Sequence, residues 1–504
     1  MQTKERTISG ILRRSSKKYM KKKEYVKRIS FVIVLAVAIA LNVLIAFRPV
    51  FSYDESYTIA LARNSFADIV KITKNDVHAP MYYFAVKIVS TIFGGTMYGG
   101  RILSMLCMVG FAVVACLACR SNKNARRWLI LFTLFQPLVV AQTTESRMYA
   151  MALLFFTLAG VLAQQMYMGK VTLGVWIAFT VTSIIAVYSH TYTMLMMVMM
   201  YLFLLGFLIS QRRAKEMIAI LGSGVVVGLA YLPWLFVLVE QFQNKVNSNE
   251  TISRIDRSFA ANEAIATASY EWFSDFYDPN SGVWYLGILA TAVLTFYAFT
   301  MIRETKRYEL SFGYITIGLT VMLGLYLEYK NPTSGMFLGR YVFSAFGLVM
   351  ITWAWGMDKC CKSKVMKVAL CMVMIYCGLW AYRGEYQLSD QTGYQAYEKF
   401  LEKNYKEGDV IMANTRYQMI MSIYHPELRY MVYGAVDEYS PYQNTEAFTS
   451  WDQLEGVNTV WVLHFSDIYT ADLGAEFYAE RALEYHYGYY DFIIEKWKRR
   501  QKDE

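Results

Sequence analysis

The sequence predicts a mainly α polytopic membrane helix bundle of about 11 spans, with interfacial helices on its outer face and a small C-terminal α/β domain outside the membrane. Three observations predict it. The 504 residues are 56% apolar, and the apolar segments have the length a helix needs to cross the hydrocarbon core. The loops between alternate segments carry basic clusters: RSNKNARR, GK, QRRAKE, RETKR and DKCCKSK. From about residue 383 the long apolar segments give way to short stretches that alternate between strand and helix patterns.

Taken in order, residues 1–29 form a basic N-terminus (Lys17, Lys18, Lys21, Lys22, Lys23, Lys27, Arg28) with no small-residue cleavage site before the first span, so it reads as an uncleaved cytoplasmic anchor. The spans expected in the transmembrane domain, 30–382, are 30–47, 99–119, 128–142, 148–168, 171–189, 191–210, 217–239, 282–302, 310–327, 340–357 and 365–382. An internal N-terminus places every basic loop in the cytoplasm, as the positive-inside rule demands. The segment 80–94 is short and carries Lys87. Counting it as a span would move all later basic loops outside, so it reads as an interfacial or re-entrant helix.

The outer loops are then 48–98, 240–281 and 328–339. The first is expected to open with an amphipathic helix just after Asp54, with the stripe Ile59, Leu61, Ala62, Phe66, Ile69 and Val70. In the extracytoplasmic domain, 383–504, the stretches 409–414, 428–434, 458–465 and 489–497 read as strands, and 393–404, 416–424 and 473–485 as helices. That alternation implies a partly parallel sheet. The domain has no Gly-rich phosphate loop, which favours a supporting or acceptor-binding role. Loop 240–281 and this domain are expected to set acceptor choice.

The net charge of +10 lies mostly in short loops and so reports topology. No long basic face is interleaved with exposed aromatics, which excludes a nucleic-acid partner. The seven cysteines lie in or beside apolar segments. That pattern argues against a disulfide framework or a zinc site, and Cys116–Cys119 reads as packing rather than a redox pair.

Function is legible in the rare polar residues at the outer ends of the spans. They are Asp54 and Glu55 in FSYDESY, Asp76 and His78 in DVHAPMYY, Arg101 in GGRILS, Glu145 and Arg147 in TTESRMYA, His190 and Tyr192 in YSHTY, and Arg340 and Tyr341 in LGRYVF. Ionisable groups at membrane depth are expensive and therefore usually functional. Taken singly, each has an ordinary explanation: a solvated acidic cap, a helix cap, a backbone-bonded histidine, a snorkelling arginine, an interface-belt aromatic. Together, three arginines at one level suit phosphate oxygens. A carboxylate at the interface, partly desolvated, suits a general base. Pro80 fixes extended backbone at Ala79.

The order YDE, DxHAPxYY, RxLS and ESRMYA resembles the polyprenyl-phosphate-sugar-dependent membrane glycosyltransferases of the GT-C superfamily, which include protein O-mannosyltransferases and aminoarabinose transferases. The resemblance covers about residues 30–240 and, more loosely, the RY at 340–341. It implies Asp54 as catalytic base with Glu55 as its acidic neighbour, and Asp76, His78 and Pro80 as the HPP-type segment. Arg101 takes the place of the arginine on the lipid phosphate, aided by Arg147 or Arg340. Tyr82, Glu145, Tyr149, His190, Tyr192 and Tyr341 are expected to position substrate. Two departures stand out: HAP replaces HPP, and the C-terminal domain lacks the character of a β-trefoil, which weighs against a protein acceptor.

The expected reaction moves a sugar from a polyprenyl-phosphate donor to a hydroxyl acceptor on the outer face, with inversion. The expected partners are the lipid-linked donor, a glycan, lipid or protein acceptor, and membrane lipids. No cofactor is required, although Asp54, Glu55, Asp76 and His78 have the donor types for a divalent cation. The rival readings are a transporter or flippase of lipid-linked sugar, which favours polar groups near the midplane, and a non-catalytic binder of lipid phosphate.

Overall fold

The computed structural model describes residues 31–247, 283–330, 337–387, 401–413, 415–433, 439–442, 444–464, 477–487 and 490–500, with the isolated positions 29 and 399. The apolar segments fold as helices: α1 (Phe31–Ala46), then α2 (Tyr53–Arg63), α3 (Phe66–Lys74), α4 (Met81–Phe93), α5 (Gly99–Ala118), α6 (Lys123–Phe135), α7 (Pro137–Thr144), α8 (Tyr149–Tyr167), α9 (Leu173–Ser189), α10 (Thr191–Ser210), α11 (Ala214–Asn247), α12 (Val283–Thr305), α13 (Phe312–Lys330), α14 (Phe343–Lys359) and α15 (Lys364–Gln387). Among the described residues, seven helices are long and apolar enough to cross a membrane by themselves.

Membrane residence is visible in what these helices leave uncovered. On α5, Leu106, Val109, Val113 and Leu117 form an exposed stripe, and on α11 Ile218, Leu221, Val225, Leu229 and Phe236 do the same. Apolar residues at helical spacing that face outward are stable only against lipid. The opposite faces pack a core that includes Phe111, Phe132, Phe156, Phe346 and Trp353.

Two segments depart from the expected pattern. The span expected at 128–142 is two helices, α6 and α7, joined at Gln136. Pro137 lacks the N–H that would continue α6, so it opens α7 instead, and the Gln136 side chain accepts from the Val139 amide at 2.8 Å. The amphipathic stretch of the first loop is likewise two helices. Ser65 caps α3 by accepting from the Asp68 amide, and Asn64 closes α2. The segment at 80–94 forms α4, whose 13 residues span about 20 Å, too short for a hydrocarbon core of about 30 Å.

Two glycines let α5 start close to its neighbours. A Cβ on Gly100 would lie 2.7 Å from the Ser146 Cβ. Gly100→Ala is therefore expected to destabilise the protein by about 1–3 kcal/mol through overpacking, read as a lower unfolding temperature in nanodiscs; an unchanged temperature would mean that Ser146 yields without penalty.

The C-terminal unit is a six-stranded sheet in the order β3-β2-β1-β4-β6-β5. Its strands are β1 (Val410–Ala413), β2 (Tyr430–Tyr433), β3 (Thr445–Phe448), β4 (Thr459–His464), β5 (Phe477–Tyr487) and β6 (Tyr490–Arg499), with α16 (Thr415–Tyr424) after β1. The first four strands run parallel, and β6 pairs antiparallel with both β4 and β5. The stretch 473–485, expected as a helix, lies mostly in β5. Its Ala, Glu and Leu favour helix, but pairing along β6 from Phe477↔Arg499 to Tyr487↔Tyr490 outweighs that weak local preference. The strand β3 had no counterpart in the expected elements. Most of the expected helix 393–404 and of the loop 240–281 lies outside the described residues.

This unit is docked on α2. Tyr424 Oη donates to the Pro49 carbonyl at 2.6 Å, Arg63 donates to the Ile423 carbonyl at 2.7 Å, and Asn64 donates to the Pro441 carbonyl at 3.0 Å. Phe51, Ile59 and Ala60 form one apolar cluster with Met419, Ile423 and Tyr442.

Candidate functional site

The site starts with the cap of α2. Ser52 Oγ accepts from the Glu55 amide at 3.3 Å, and Glu55 Oε2 accepts from the Ser52 amide at 3.0 Å, a reciprocal capping box. This arrangement turns Glu55 into the protein, leaving Asp54 beside it partly exposed.

Glu55 and Arg101 are both fully buried. Arg101 Nε and Nη2 donate to the two Glu55 oxygens at 2.6 and 2.8 Å, and the Ser146 amide donates to Oε1 at 2.9 Å. The remaining Arg101 N–H groups reach the carbonyls of Ala46, Arg48 and Val50, and the guanidinium lies 4.1 Å from the centre of the Phe51 ring. Burial alone would raise the Glu55 carboxyl, but the charge and hydrogen bonds of Arg101 outweigh it and hold the group well below the usual carboxylate range.

These bonds correct two of the expected roles. Arg101 has all five donors spent on protein acceptors, so it has none for a phosphate. Glu55 has both oxygens saturated and does not face the site. The pair is a staple joining the link after α1, the cap of α2, the start of α5 and the turn before α8.

Above the staple, Asp54 lies between two guanidiniums, 3.8 Å from Arg147 Nε and 3.5 Å from Arg340 Nη2. Burial raises its pKa, but Arg147 and Arg340 together bring it below the ordinary value, so it is ionised at neutral pH. Arg147 Nη2 donates to His78 Nε2 at 3.2 Å. Burial and then the Arg147 charge push the His78 pKa down to about 3. The imidazole is therefore neutral and accepts that bond through an unprotonated Nε2. Glu145 ends α7, and burial followed by the Glu55 charge pushes its pKa up to about 8. It accordingly carries a proton at neutral pH while its neighbour Asp54 does not.

Aromatic rings close the opposite wall. Arg340 sits 5.7 Å over the Tyr149 ring, and the His190 ring lies 5.6 Å from Tyr149, 5.0 Å from Tyr341 and 6.0 Å from His78. Tyr192 stacks on Tyr341 at 5.0 Å. His190 also caps α10, its Nδ1 accepting from the Tyr192 amide. On the α4 side, Tyr57 is within hydrogen-bonding reach of the Asp76 carboxyl.

Asp54, Asp76, His78, Tyr82, Glu145, Arg147, Tyr149, His190, Tyr192, Arg340 and Tyr341 thus gather at one end of the bundle, with Glu55 and Arg101 beneath them. Several buried polar atoms there have no hydrogen-bond partner: Asp76 Oδ2, the hydroxyls of Tyr82, Tyr83 and Tyr149, and the Nε atoms of Arg147 and Arg340. Buried polar atoms are usually satisfied, so these atoms are available to a polar ligand. A separate cavity of about 60 Å³ is lined mainly by apolar side chains such as Met200, Phe203, Phe312 and Ile351, with Gln164 and Glu309 at its wall, and by none of these site residues. Among the described residues, no group of three or more His, Cys, Asp or Glu side chains is arranged to hold a metal ion.

Tyr57, Tyr83, Ser146 and Tyr442 join the site or its frame without having been expected there. For the frame a signal was present, since Ser52-x-x-Glu55 is a capping-box sequence. Nothing local marks Tyr442, whose place depends on how the C-terminal unit docks.

The family model described as "6-pyruvoyl-tetrahydropterin synthase related domain; membrane protein" matches residues 77–384. No curated protein matches the sequence. Among solved structures, the chain is similar to ArnT, an aminoarabinose transferase from Cupriavidus metallidurans. Against the apo state the identity is 11%, the TM-score 0.58, and the match covers 93% of this chain and 98% of ArnT. Against ArnT bound to undecaprenyl phosphate the values are 12%, 0.57, 92% and 98%. At that identity the likeness is one of fold, and the fold is that of the GT-C glycosyltransferases.

Proposed function

We propose that this chain, which belongs to the membrane-protein family described as 6-pyruvoyl-tetrahydropterin synthase related, is a glycosyltransferase that moves a sugar from a polyprenyl-phosphate donor to a hydroxyl acceptor. The observation that carries the reading is the ionised Asp54 held between Arg147 and Arg340 beside a set of unpartnered buried polar atoms. The likeness in fold to a protein that binds undecaprenyl phosphate supports it. So does the gathering of charge at one end of the bundle, where a transport path would need polar groups near the midplane.

In this mechanism Asp54 takes the proton of the acceptor hydroxyl as its oxygen bonds to the anomeric carbon. The bond from that carbon to the phosphate oxygen breaks in the same displacement, which inverts the anomeric configuration. Polyprenyl phosphate leaves with the electron pair, stabilised by Arg147 and Arg340. Arg101 takes no part in the step. His78, neutral, orients Arg147 through its Nε2, and protonated Glu145 adds no negative charge where the phosphate must bind. With the basic loops in the cytoplasm, the site and the sheet unit face outward and the hydroxyl acceptor belongs to the cell envelope.

The decisive experiment incubates the purified protein with undecaprenyl-phosphate-linked hexoses and envelope glycans or lipids, and follows the release of undecaprenyl phosphate together with the glycosylated acceptor by mass spectrometry. Transport of intact donor without any acceptor product would sink the reading. A second expectation concerns the arginines. Arg147→Gln and Arg340→Gln should each weaken undecaprenyl phosphate binding by about ten- to hundredfold, the usual worth of a charge-assisted hydrogen bond. Unchanged affinity in both would place the phosphate elsewhere.

A further inference from the structure

Three of the unpaired polar groups lie where α2, α4 and the C-terminal unit come together, Asp76 and Tyr83 among them still within reach of the Arg147 charge. Asp76 Oδ2 and the hydroxyls of Tyr83 and Tyr442 are buried without a hydrogen-bond partner. Tyr83 is completely buried, and Tyr442, which comes from the C-terminal unit, is 8% exposed. Tyr57 lies at the junction of the three: Asp76, Tyr83 and Tyr442 each raise its phenol pKa after burial has done so, and its ring is 6.2 Å from that of Tyr83 at an edge-on angle. A carboxylate flanked by aromatic rings with free hydroxyls suits one ligand chemistry above others. Vicinal hydroxyls take a carboxylate as acceptor and phenols as donors or acceptors, while the C–H face of a pyranose packs on a ring. Asp76 and Tyr83 also feel the Asp54 charge, so a ring held there stands beside the reacting centre.

We propose that Asp76, Tyr57, Tyr83 and, from the C-terminal unit, Tyr442 form a pyranose-recognition subsite next to Asp54, completed only when the sheet unit is docked on α2. The inference rests on the glycosyltransferase reading and adds to it the groups that choose the sugar. Two sources carry that chemistry, the sugar of the donor and a glycan acceptor. In both, Asp76 supplies the charged acceptor, and Tyr442 makes the choice depend on a unit outside the bundle.

Binding to the full-length protein in nanodiscs tests this. The donor arm compares undecaprenyl phosphate with undecaprenyl-phosphate glucose, mannose and galactose. The acceptor arm offers maltotriose, mannotriose and N,N′,N″-triacetylchitotriose in the presence of undecaprenyl phosphate. At least one sugar is expected to add about tenfold or more to affinity in the donor arm, or to show saturable binding in the acceptor arm, which identifies the source. Asp76→Asn should reduce that sugar-dependent increment by about ten- to hundredfold, and Tyr442→Phe, which removes a single oxygen and keeps the packing, by about three- to tenfold. Affinity for bare undecaprenyl phosphate should be kept in Tyr442→Phe, and in Asp76→Asn the increment is measured against that variant's own affinity for bare undecaprenyl phosphate. If bare undecaprenyl phosphate binds and no sugar adds anything, or if both variants keep the whole increment, the subsite is wrong and the lipid-phosphate reading stands. If undecaprenyl phosphate itself fails to bind, that reading falls instead.

Discussion

Asp54→Asn is expected to slow sugar transfer by about 10²- to 10⁴-fold, the usual worth of a positioned general base, while undecaprenyl phosphate binds at least as tightly as before. The second half follows from the ion pairs. Asp54 lies 3.8 and 3.5 Å from Arg147 and Arg340, both too long for strong hydrogen bonds. In the proposed mechanism an arriving phosphate competes for the same guanidiniums. Once they turn to the phosphate, Asp54 loses the charges that hold its pKa down, and burial, the largest influence on it, raises its basicity when the acceptor needs it. Asparagine removes both the competitor and the base. Steady-state transfer and equilibrium binding measured on the same preparation separate the two effects, and near-full transfer by the asparagine protein would remove Asp54 from the mechanism.

Arg101→Met is expected to cost about 3–5 kcal/mol of stability, because Glu55 would stay behind as a buried charge without its partner. The double variant Arg101→Met with Glu55→Gln should recover much of that loss, since removing both charges leaves little desolvation unopposed. The four chain segments joined by the pair would still lack their common hydrogen bonds, so recovery should be incomplete. Thermal unfolding in nanodiscs reads this directly. A single variant as stable as the parent would show that the staple carries no weight, and a double variant no better than the single one would point to packing of the arginine stem rather than charge.

Much of this architecture was legible in the sequence, because membranes leave few choices. Apolar length and the placement of basic loops are enough to mark the helices, and the rarity of charge at depth is enough to pick out Asp54, Arg147 and Arg340. What the sequence could not convey was partnership. Arg101 and Arg147 look alike, each an arginine near the start of an apolar helix. Only the fold shows that one spends every donor on Glu55 and three carbonyls, while the other keeps Nε free of a hydrogen bond. Local preference misled for a similar reason at 477–487, where the deciding interaction is with β6 rather than within the segment. Tyr442 reaches the site across almost four hundred residues of chain, and no window of sequence contains that contact.

The two ends of α2 are gripped by consecutive residues of a single helix terminus: Tyr424 holds Pro49 ahead of it, and the Ile423 carbonyl holds Arg63 in its last turn. Asp54 is therefore mounted like a bridge span pinned at both abutments by an external bracket. Undoing those two bonds, by Tyr424→Phe together with Arg63→Met, would leave the bundle helices standing and loosen only the bracket. On the glycosyltransferase reading, the damage would appear as lost alignment, a protein that still extracts intact and no longer turns over.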